Sequence, residues 1–333
     1  MAKPLARRRL GAVVEDIVTA RLDEARMAFA RLQDPADVEA LHDFRVALRR
    51  LRSCLKDYAR ASLSETTNVP GVALPKRLRR QVRDLARQTS PARDAEVVLA
   101  WLEAGRDGAS RAERGAVDWW RERLGQEVHG HYQALGTEVA RFPLLDAELR
   151  RLFGSPRLAK GSPRFGEAAS LRLVVLSERL FAELAEITGR DDEKALHRPR
   201  ITAKRIRYLL RPWRDEDDLL KEAEVQMKRF QEVFGRLHDG LVRATSLGEA
   251  ARRHAKESMD ERLALAVGGE SARATAPVHL KGFMALSVTH EQQLAHDFAA
   301  AMALATGQRV RQLEQQLARA AERMKALAAK TGK

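Results

Sequence analysis

The residues best suited to chemistry in this chain are arginines, lysines and histidines in a sequence segment that occurs twice. Residues 41–58 read LHDFRVALRRLRSCLKDY, and residues 196–213 read LHRPRITAKRIRYLLRPW. Guanidinium and ammonium groups donate hydrogen bonds to phosphate oxygens and similar anions. The pattern therefore predicts non-covalent binding of a polyanion by two related cationic surfaces. At one constant offset the basic residues of the two copies coincide: His42 with His197, Arg45 with Arg200, Arg49 with Lys204, Arg50 with Arg205, and Arg52 with Arg207.

Each copy predicts an amphipathic helix whose polar face is entirely cationic. At about 100° per residue, five basic residues of each copy fall within roughly 80° of arc. Apolar residues such as Phe44, Leu51 and Ile206 fall on the opposite side. Like charges at i,i+4 destabilise a helix, so such a face is favoured where a polyanion neutralises it. A basic face that is merely solvated is the alternative. The two faces consist of His42, Arg45, Arg49, Arg52 and Lys56, and of His197, Arg200, Lys204, Arg207 and Arg211.

A second cationic stripe follows the first copy, in residues 76–87. The equivalent segment after the second copy, residues 221–232, keeps only Lys221 and Lys228 as matching basic residues. It carries glutamates in place of two of the arginines, so the predicted site is asymmetric, with more charge from the first half of the chain. The stripe in residues 76–87 consists of Lys76, Arg79, Arg80, Arg83 and Arg87.

Histidines and aspartates accompany the basic residues. His42 and His197 open their predicted helices, where cationic neighbours should resist protonation of the imidazole until an anion arrives. Binding is therefore predicted to be tighter at mildly acidic pH. Asp94, next to Arg93, and Asp239 lie near predicted helix starts, where a carboxylate caps a helix or orients an arginine. We predict a supporting role for these residues and no catalytic one.

The elements that must position these residues are predicted to be helices throughout. Ala, Leu, Arg and Glu dominate the sequence, and no alternating strand pattern persists. We expect an all-α fold of two four-helix-bundle-like halves related by an internal pseudo-twofold repeat, residues 1–158 and 159–306. A C-terminal helical extension, residues 307–333, packs on the second half or mediates self-association. The predicted helices are 5–31, 38–60, 75–88, 92–104, 111–141, 165–188, 197–211, 216–235, 239–257, 278–305 and 308–330.

The whole chain has 60 Lys and Arg residues against 46 Asp and Glu, a formal net charge of +14, which indicates an acidic partner. Its single cysteine, Cys54, excludes an intramolecular disulfide and suits a reducing compartment. Glu15 and Asp16 interrupt the N-terminal apolar stretch before it could serve as a signal peptide. No apolar run approaches the length of a membrane span. The predicted location is the cytoplasm.

The phrase His42-Asp-Phe-Arg45-Val-Ala-Leu-Arg49-Arg50-Leu-Arg52, with Arg93-Asp94-Ala-Glu-Val97 downstream, resembles the CHAD family, the conserved histidine α-helical domain. The second copy, followed by Gly235-Arg-Leu-His-Asp239, resembles the repeat of that family. The resemblance covers about residues 8–305. It implies two antiparallel helical bundles with basic residues from both lining a central groove. It also implies inorganic polyphosphate as the partner and, as for some members, a location on polyphosphate granules.

The sequence departs from the family pattern in three places. Arg93-Asp94 becomes His238-Asp239 in the second half, and residues 111–141, often arginine-rich in the family, contain several glutamates. The family often occurs fused to a CYTH domain, but Glu222-x-Glu224 with Gln226 lacks the lysine of that domain's signature. A stand-alone CHAD protein is therefore predicted.

Other functions are less favoured by the residues. His42 and His197 lack a second metal ligand at i+3 or i+4, so no metal site is predicted. No paired carboxylates, P-loop or nucleophile triad stands out, so the chain is predicted to be no enzyme and to need no cofactor. Nucleic acid is the alternative partner and a competitor because it shares the electrostatics. Aromatic residues make up only 5% of the chain and do not interleave with the stripes, which leaves few stacking platforms for bases. Binding to an anionic membrane or granule surface is a third option.

Overall fold

The structure of this chain is a computed structural model that describes residues 4–34, 37, 39–60, 72–154, 162–267 and 279–329. Over these ranges it is a helical protein, and the all-α fold class is confirmed. A parallel pair of two-residue strands, β1 (Ala59–Arg60) and β2 (Val72–Ala73), aligns Ala59 with Val72. Short 3₁₀ helices span Leu5–Arg7 and Arg211–Trp213. The α-helices are α1 Leu10–Arg31, α2 Ala40–Tyr58, α3 Lys76–Gln88, α4 Ser90–Gly105, α5 Arg111–Val139, α6 Phe142–Phe153, α7 Phe165–Ala185, α8 Glu193–Leu210, α9 Asp218–Val267, α10 Leu280–Ala305 and α11 Gly307–Ala329.

The chain forms two compact units, and unit 1 consists of Met1–Ser90, Leu135–Glu232 and Met302–Lys333. In unit 1, α1 packs on α2 and α6, α7 packs on α8 and α11, and α2 contacts both α3 and α8. The predicted apolar side of α2 is buried in this core. Its Phe44 ring meets Phe142 of α6 edge to face, with the ring centroids 5.1 Å apart. Burial of this face leaves the basic residues of α2 on its remaining surface.

Unit 2 consists of Pro91–Ala134 and Val233–Ala301. Its core includes Val117 and Trp120 of α5 and Phe283 of α10. The helices α5 and α10 approach closely at Gly282, where a Cβ atom would lie 2.1 Å from the carbonyl oxygen of Ala112. A glycine is required at this crossing because no side chain fits between the two backbones.

Each unit draws segments from both halves of the sequence. The predicted boundary between residues 158 and 159 lies outside the described residues, and the division into repeats stays a prediction. The C-terminal helix α11 packs on α7 in unit 1 and buries Leu317, Met324 and Ala328. Helix α11 also contacts the 3₁₀ helix Leu5–Arg7, so it packs on segments from both halves of the chain, and a role in self-association stays a prediction.

The predicted helix pattern was wrong in two places. Helix α6 was not predicted, although Pro143 lies in its first turn, where proline is well tolerated because the missing N–H has no helical partner. The predicted helices 216–235 and 239–257 form one helix, α9, of 50 residues. Gly235 lies inside it, and Asp239 is an interior helical residue, so the prediction that Asp239 lies near a helix start is corrected.

Candidate anion-binding site

The predicted stripes of the first half face each other across a cleft between α2 and α3, which we call the α2–α3 cleft. It has a volume of about 350 Å³. None of the described residues that line it is acidic. The lining residues are Arg52, Leu55 and Lys56 of α2 and Lys76, Arg79, Arg80, Val82 and Arg83 of α3.

The spacing of apolar residues in the sequence creates this cleft. Leu78, Val82 and Leu85 of α3 recur at helical intervals and are buried, as are Leu51 and Leu55 of α2. Packing through these faces leaves the intervening arginines and lysines at the rim, exposed or partly exposed. The C-terminal end of the α2 stripe, Arg52 and Lys56, is thereby brought together with most of the α3 stripe.

The cleft is electrostatically positive. Burial lowers the pKa of the Lys56 ammonium, and the nearby Arg205 guanidinium lowers it further. One of the cations has an acidic neighbour outside the lining, since the Nε of Arg83 donates to Oδ1 of Asp84 at 2.9 Å. An anion that enters the cleft would meet hydrogen-bond donors from two helices and no carboxylate on the walls.

A second basic cleft, the α2–α8 cleft, contains residues of both copies. It has a volume of about 450 Å³. The Nε of Arg49 donates to the hydroxyl of Tyr208 at 3.4 Å, and the Arg207 guanidinium carbon lies 5.4 Å from the centre of the Tyr208 ring. This cleft joins the two copies within unit 1. Its lining residues are Glu24, Met27, Ala28 and Arg31 of α1, His42, Asp43, Val46, Ala47, Arg49 and Arg50 of α2, and Arg207 and Tyr208 of α8.

The α2–α8 cleft differs from the α2–α3 cleft in containing acids. Glu24 accepts a hydrogen bond from Nη1 of Arg50 at 3.3 Å. Asp43 accepts one from Nη1 of Arg31 at 2.6 Å. Part of the positive charge of this cleft is therefore neutralised by the protein itself.

The two histidines of the repeat lie near cationic groups. His42 lines the α2–α8 cleft. His197 is half-buried on α8, where burial lowers its pKa and Arg200 and Lys204 lower it further, against a smaller opposing effect of Glu193. The cationic surroundings predicted for His197 are present in the structure.

Arg205 must be removed from the predicted binding residues. Only 8% of its surface is exposed, and its Nε donates to Oδ1 of Asp57 at 2.9 Å. Asp57 is itself only 3% exposed. The pair is a buried ion pair between α8 and α2, so Arg205 joins the two copies, and the two of its nitrogens that bond to Asp57 are not available to a ligand.

Several other predicted residues lie elsewhere. Nη1 of Arg45 donates to the hydroxyl of Thr89 at 3.3 Å, and Lys228 lies 3.7 Å from Glu232. Arg87 and Lys221 are exposed, and neither they nor Lys228 line the two clefts. Arg211 lines a further cavity of unit 1.

The residues predicted to support the site belong to unit 2. Arg93 donates through Nη1 to Oε2 of Glu96 at 2.9 Å. Asp94 lies in the second turn of α4 and Asp239 in the interior of α9. A role for Asp94 in orienting an arginine stays a prediction.

Sequence reasoning missed Tyr208 and Arg31, which line the α2–α8 cleft. Tyr208 follows Arg207 directly within the second copy, but the first copy has Ser53 at the matching position, so the repeat gave no signal for it. Arg31 belongs to α1, outside both copies. Within the described ranges no group of three or more histidine, cysteine or acidic side chains could hold a metal ion, and no helix is long and apolar enough to cross a membrane.

Comparison with known proteins agrees with this architecture. The family model of the CHAD domain matches residues 16–248. The crystal structure of the CHAD domain from the plant Ricinus communis is similar, with a TM-score of 0.62 and 22% sequence identity over 86% of this chain and 94% of that chain. At this identity the similarity shows a shared fold. No curated protein matches the sequence. Because the family model covers well over half of its length, the chain belongs to the CHAD family.

Proposed function

We propose that this protein binds inorganic polyphosphate without catalysing its turnover, and that the α2–α3 cleft is the main binding surface. The observation that carries the proposal is the composition of this cleft, whose walls hold six basic and two apolar residues. Arg49, Arg207 and His42 of the α2–α8 cleft supply further contacts. Membership of the CHAD family supports the same ligand class.

The physical basis is a match between the repeat of the ligand and the repeat of the helices. Polyphosphate carries about one negative charge per unit, so stripes that present a donor at each helical turn can follow the chain. Arginine binds phosphate oxygens through two parallel N–H groups, which fixes the direction of the contact. The lining residues of the α2–α3 cleft are arginines, lysines and two apolar residues, which offers a phosphate chain charged hydrogen-bond donors on both walls.

Nucleic acid remains the second candidate because its backbone carries the same charge. Proteins that hold single strands without sequence preference add aromatic side chains on which bases stack. The described lining of the α2–α3 cleft contains no aromatic residue. A bare phosphate chain therefore fits this surface better than a strand with bases.

The decisive experiment is a competition titration with labelled long-chain polyphosphate, followed by fluorescence anisotropy. Unlabelled polyphosphate, duplex DNA and tripolyphosphate are added as competitors at equal phosphate concentration. We expect unlabelled polyphosphate to displace the label at concentrations at which DNA leaves it bound. Equal displacement by DNA would contradict the proposal and favour a general polyanion-binding surface.

A charge-reversal variant locates the site. Arg52→Glu combined with Arg79→Glu should lower polyphosphate affinity by at least about a hundredfold, since two charge-assisted contacts are replaced by repulsion. The matched control is Arg311→Glu combined with Arg319→Glu, which makes the same charge change at exposed positions of α11. Both variants should keep the helical circular dichroism spectrum. An equal loss of affinity in both would mean that only the net charge matters.

A further inference from the structure

A third cavity of unit 1, which we call the Arg211 cavity, lies among α1, α2 and the end of α8. Its volume is about 310 Å³, at the lower end of the range of small-molecule sites. It shares Arg50 and Tyr208 with the α2–α8 cleft. The lining residues are Asp16, Ile17, Ala20 and Arg21 of α1, Arg50, Cys54, Asp57 and Tyr58 of α2, and Tyr208, Leu209, Arg211 and Pro212.

Two buried polar atoms of this lining have no hydrogen-bond partner among the described residues. They are the Nε of Arg50 and the hydroxyl oxygen of Tyr58. The Tyr58 side chain is almost completely buried, with 4% of its residue surface exposed. Buried polar groups are nearly always paired in folded proteins, so two donors without partners on one cavity indicate a ligand that accepts hydrogen bonds.

The charges around the Arg211 cavity favour an anion. Arg211 makes no ion pair within the described part of the chain, and its pKa is lowered by burial and then by Arg50, Arg21 and Arg207. The buried carboxylate of Glu224 opposes this lowering of the Arg211 pKa, and the other acids nearby already have cationic partners. Asp16 pairs with Arg8, Asp57 pairs with Arg205, and Glu24 pairs with Arg21 and Arg50. An incoming anion would therefore complete the neutralisation of this arginine cluster.

The remaining wall of the cavity is apolar, which a phosphate chain alone would not use. It is formed by Ile17, Ala20, Leu209 and Pro212. We propose that the Arg211 cavity is a second ligand site, for a small phosphate monoester. Its phosphate accepts hydrogen bonds from Arg50, Tyr58 and Arg211, and its organic group packs on the apolar wall. Such a site would let a phosphorylated small molecule bind next to the α2–α8 cleft.

Phenyl phosphate is the probe that tests this proposal, with inorganic phosphate and phenol as comparison ligands in isothermal titration calorimetry. We expect phenyl phosphate to bind at least about tenfold more tightly than either, because it uses both the cations and the apolar wall. Affinity for phenyl phosphate equal to that for inorganic phosphate would overturn the proposal, since the apolar wall would then have no part in binding.

Variants assign the binding to this cavity. Arg211→Gln should lower the affinity for phenyl phosphate about tenfold. Tyr58→Phe should lower this affinity about threefold to tenfold without loss of thermal stability. Arg214→Gln is the matched control, because it removes an exposed charge three residues away that does not line the cavity. Arg79→Gln in the α2–α3 cleft should leave phenyl phosphate binding unchanged. Loss of phenyl phosphate binding in either control variant would mean that the probe binds outside the Arg211 cavity. Unchanged binding in both Arg211→Gln and Tyr58→Phe would mean the same.

Discussion

Arg205 lies among cations in the sequence and against Asp57 in the folded chain, where both side chains are buried. Removal of the guanidinium would leave the carboxylate buried without a counter-charge. We therefore expect Arg205→Ala to lower the free energy of unfolding by about 3–5 kcal/mol. Urea denaturation followed by circular dichroism measures this. Arg52→Ala, at an exposed position, should change the free energy by less than about 0.5 kcal/mol.

The same pair of variants separates a structural role from a binding role. Arg52→Ala should lower the affinity for polyphosphate. Arg205→Ala should lower this affinity only to the extent that it unfolds the protein. Weak polyphosphate binding by a fully stable Arg205→Ala variant would show that Arg205 contacts the ligand. The sequence could not make this distinction, because Asp57 and Arg205 belong to different copies and only the fold brings them together.

His197 lines neither cleft, so its titration tests whether a polyanion bound in the clefts also reaches the cationic face of α8. Burial, Arg200 and Lys204 lower its pKa below 6.5 in the folded protein. Between that lowered pKa and the unfolded value, the unfolded chain binds more protons, so His197 makes the free protein less stable as pH falls through this window. A bound polyanion offsets the neighbouring cations and favours the protonated imidazole. Affinity should therefore be higher at pH 6 than at pH 8.

Binding titrations at the two pH values measure this effect, with His197→Gln as the comparison. The variant cannot gain a proton, so its pH dependence should be reduced relative to the unchanged protein. Identical affinities at pH 6 and pH 8 for the unchanged protein would contradict this role of His197.

At the scale of the helices, the crossing of α5 and α10 depends on Gly282. A methyl group there would lie 2.1 Å from the carbonyl oxygen of Ala112, so the helices would have to separate. We expect Gly282→Ala to lower the free energy of unfolding by about 1–3 kcal/mol. Gly125→Ala on α5 meets no atom within 4 Å and should raise stability by up to about 1 kcal/mol. Thermal denaturation of both variants provides the test, and equal stabilities would contradict the close crossing.

The helices differ in how closely their bounds could be predicted from the sequence. The repeat phrases predicted α2 and α8 to within a few residues, because their apolar positions recur at helical spacing and their cationic faces are unbroken. The prediction divided helix α9 between residues 235 and 239, whereas Gly235 lies inside one continuous helix. A glycine inside a long helix costs about 1 kcal/mol, which the packing of the remaining residues outweighs.

At the scale of the whole molecule, the division into two successive repeats stays a prediction, and the two compact units are defined by contacts between helices. Unit 1 takes α1 to α3 and α6 from the first half, α7 and α8 from the second, and α11 from the C-terminal extension. A repeat in sequence shows which residues are equivalent. It carries no information about whether equivalent helices pack within their own half or with the other, since amphipathic faces of similar composition can serve either arrangement.

Because the net charge is +14, the affinity for any polyanion should fall as the salt concentration rises. The slope of log affinity against log salt concentration reports the number of contacts between cationic side chains and phosphates. Each cation that binds a phosphate releases about one counterion, so Arg52→Gln combined with Arg79→Gln should reduce the slope of log affinity against log salt by about 2. Arg311→Gln combined with Arg319→Gln removes the same charge from α11 and should leave the slope unchanged. Anisotropy titrations at several salt concentrations give the three slopes. A lower affinity at an unaltered slope for the first variant would mean that Arg52 and Arg79 act through the general field of the protein and do not touch the phosphates.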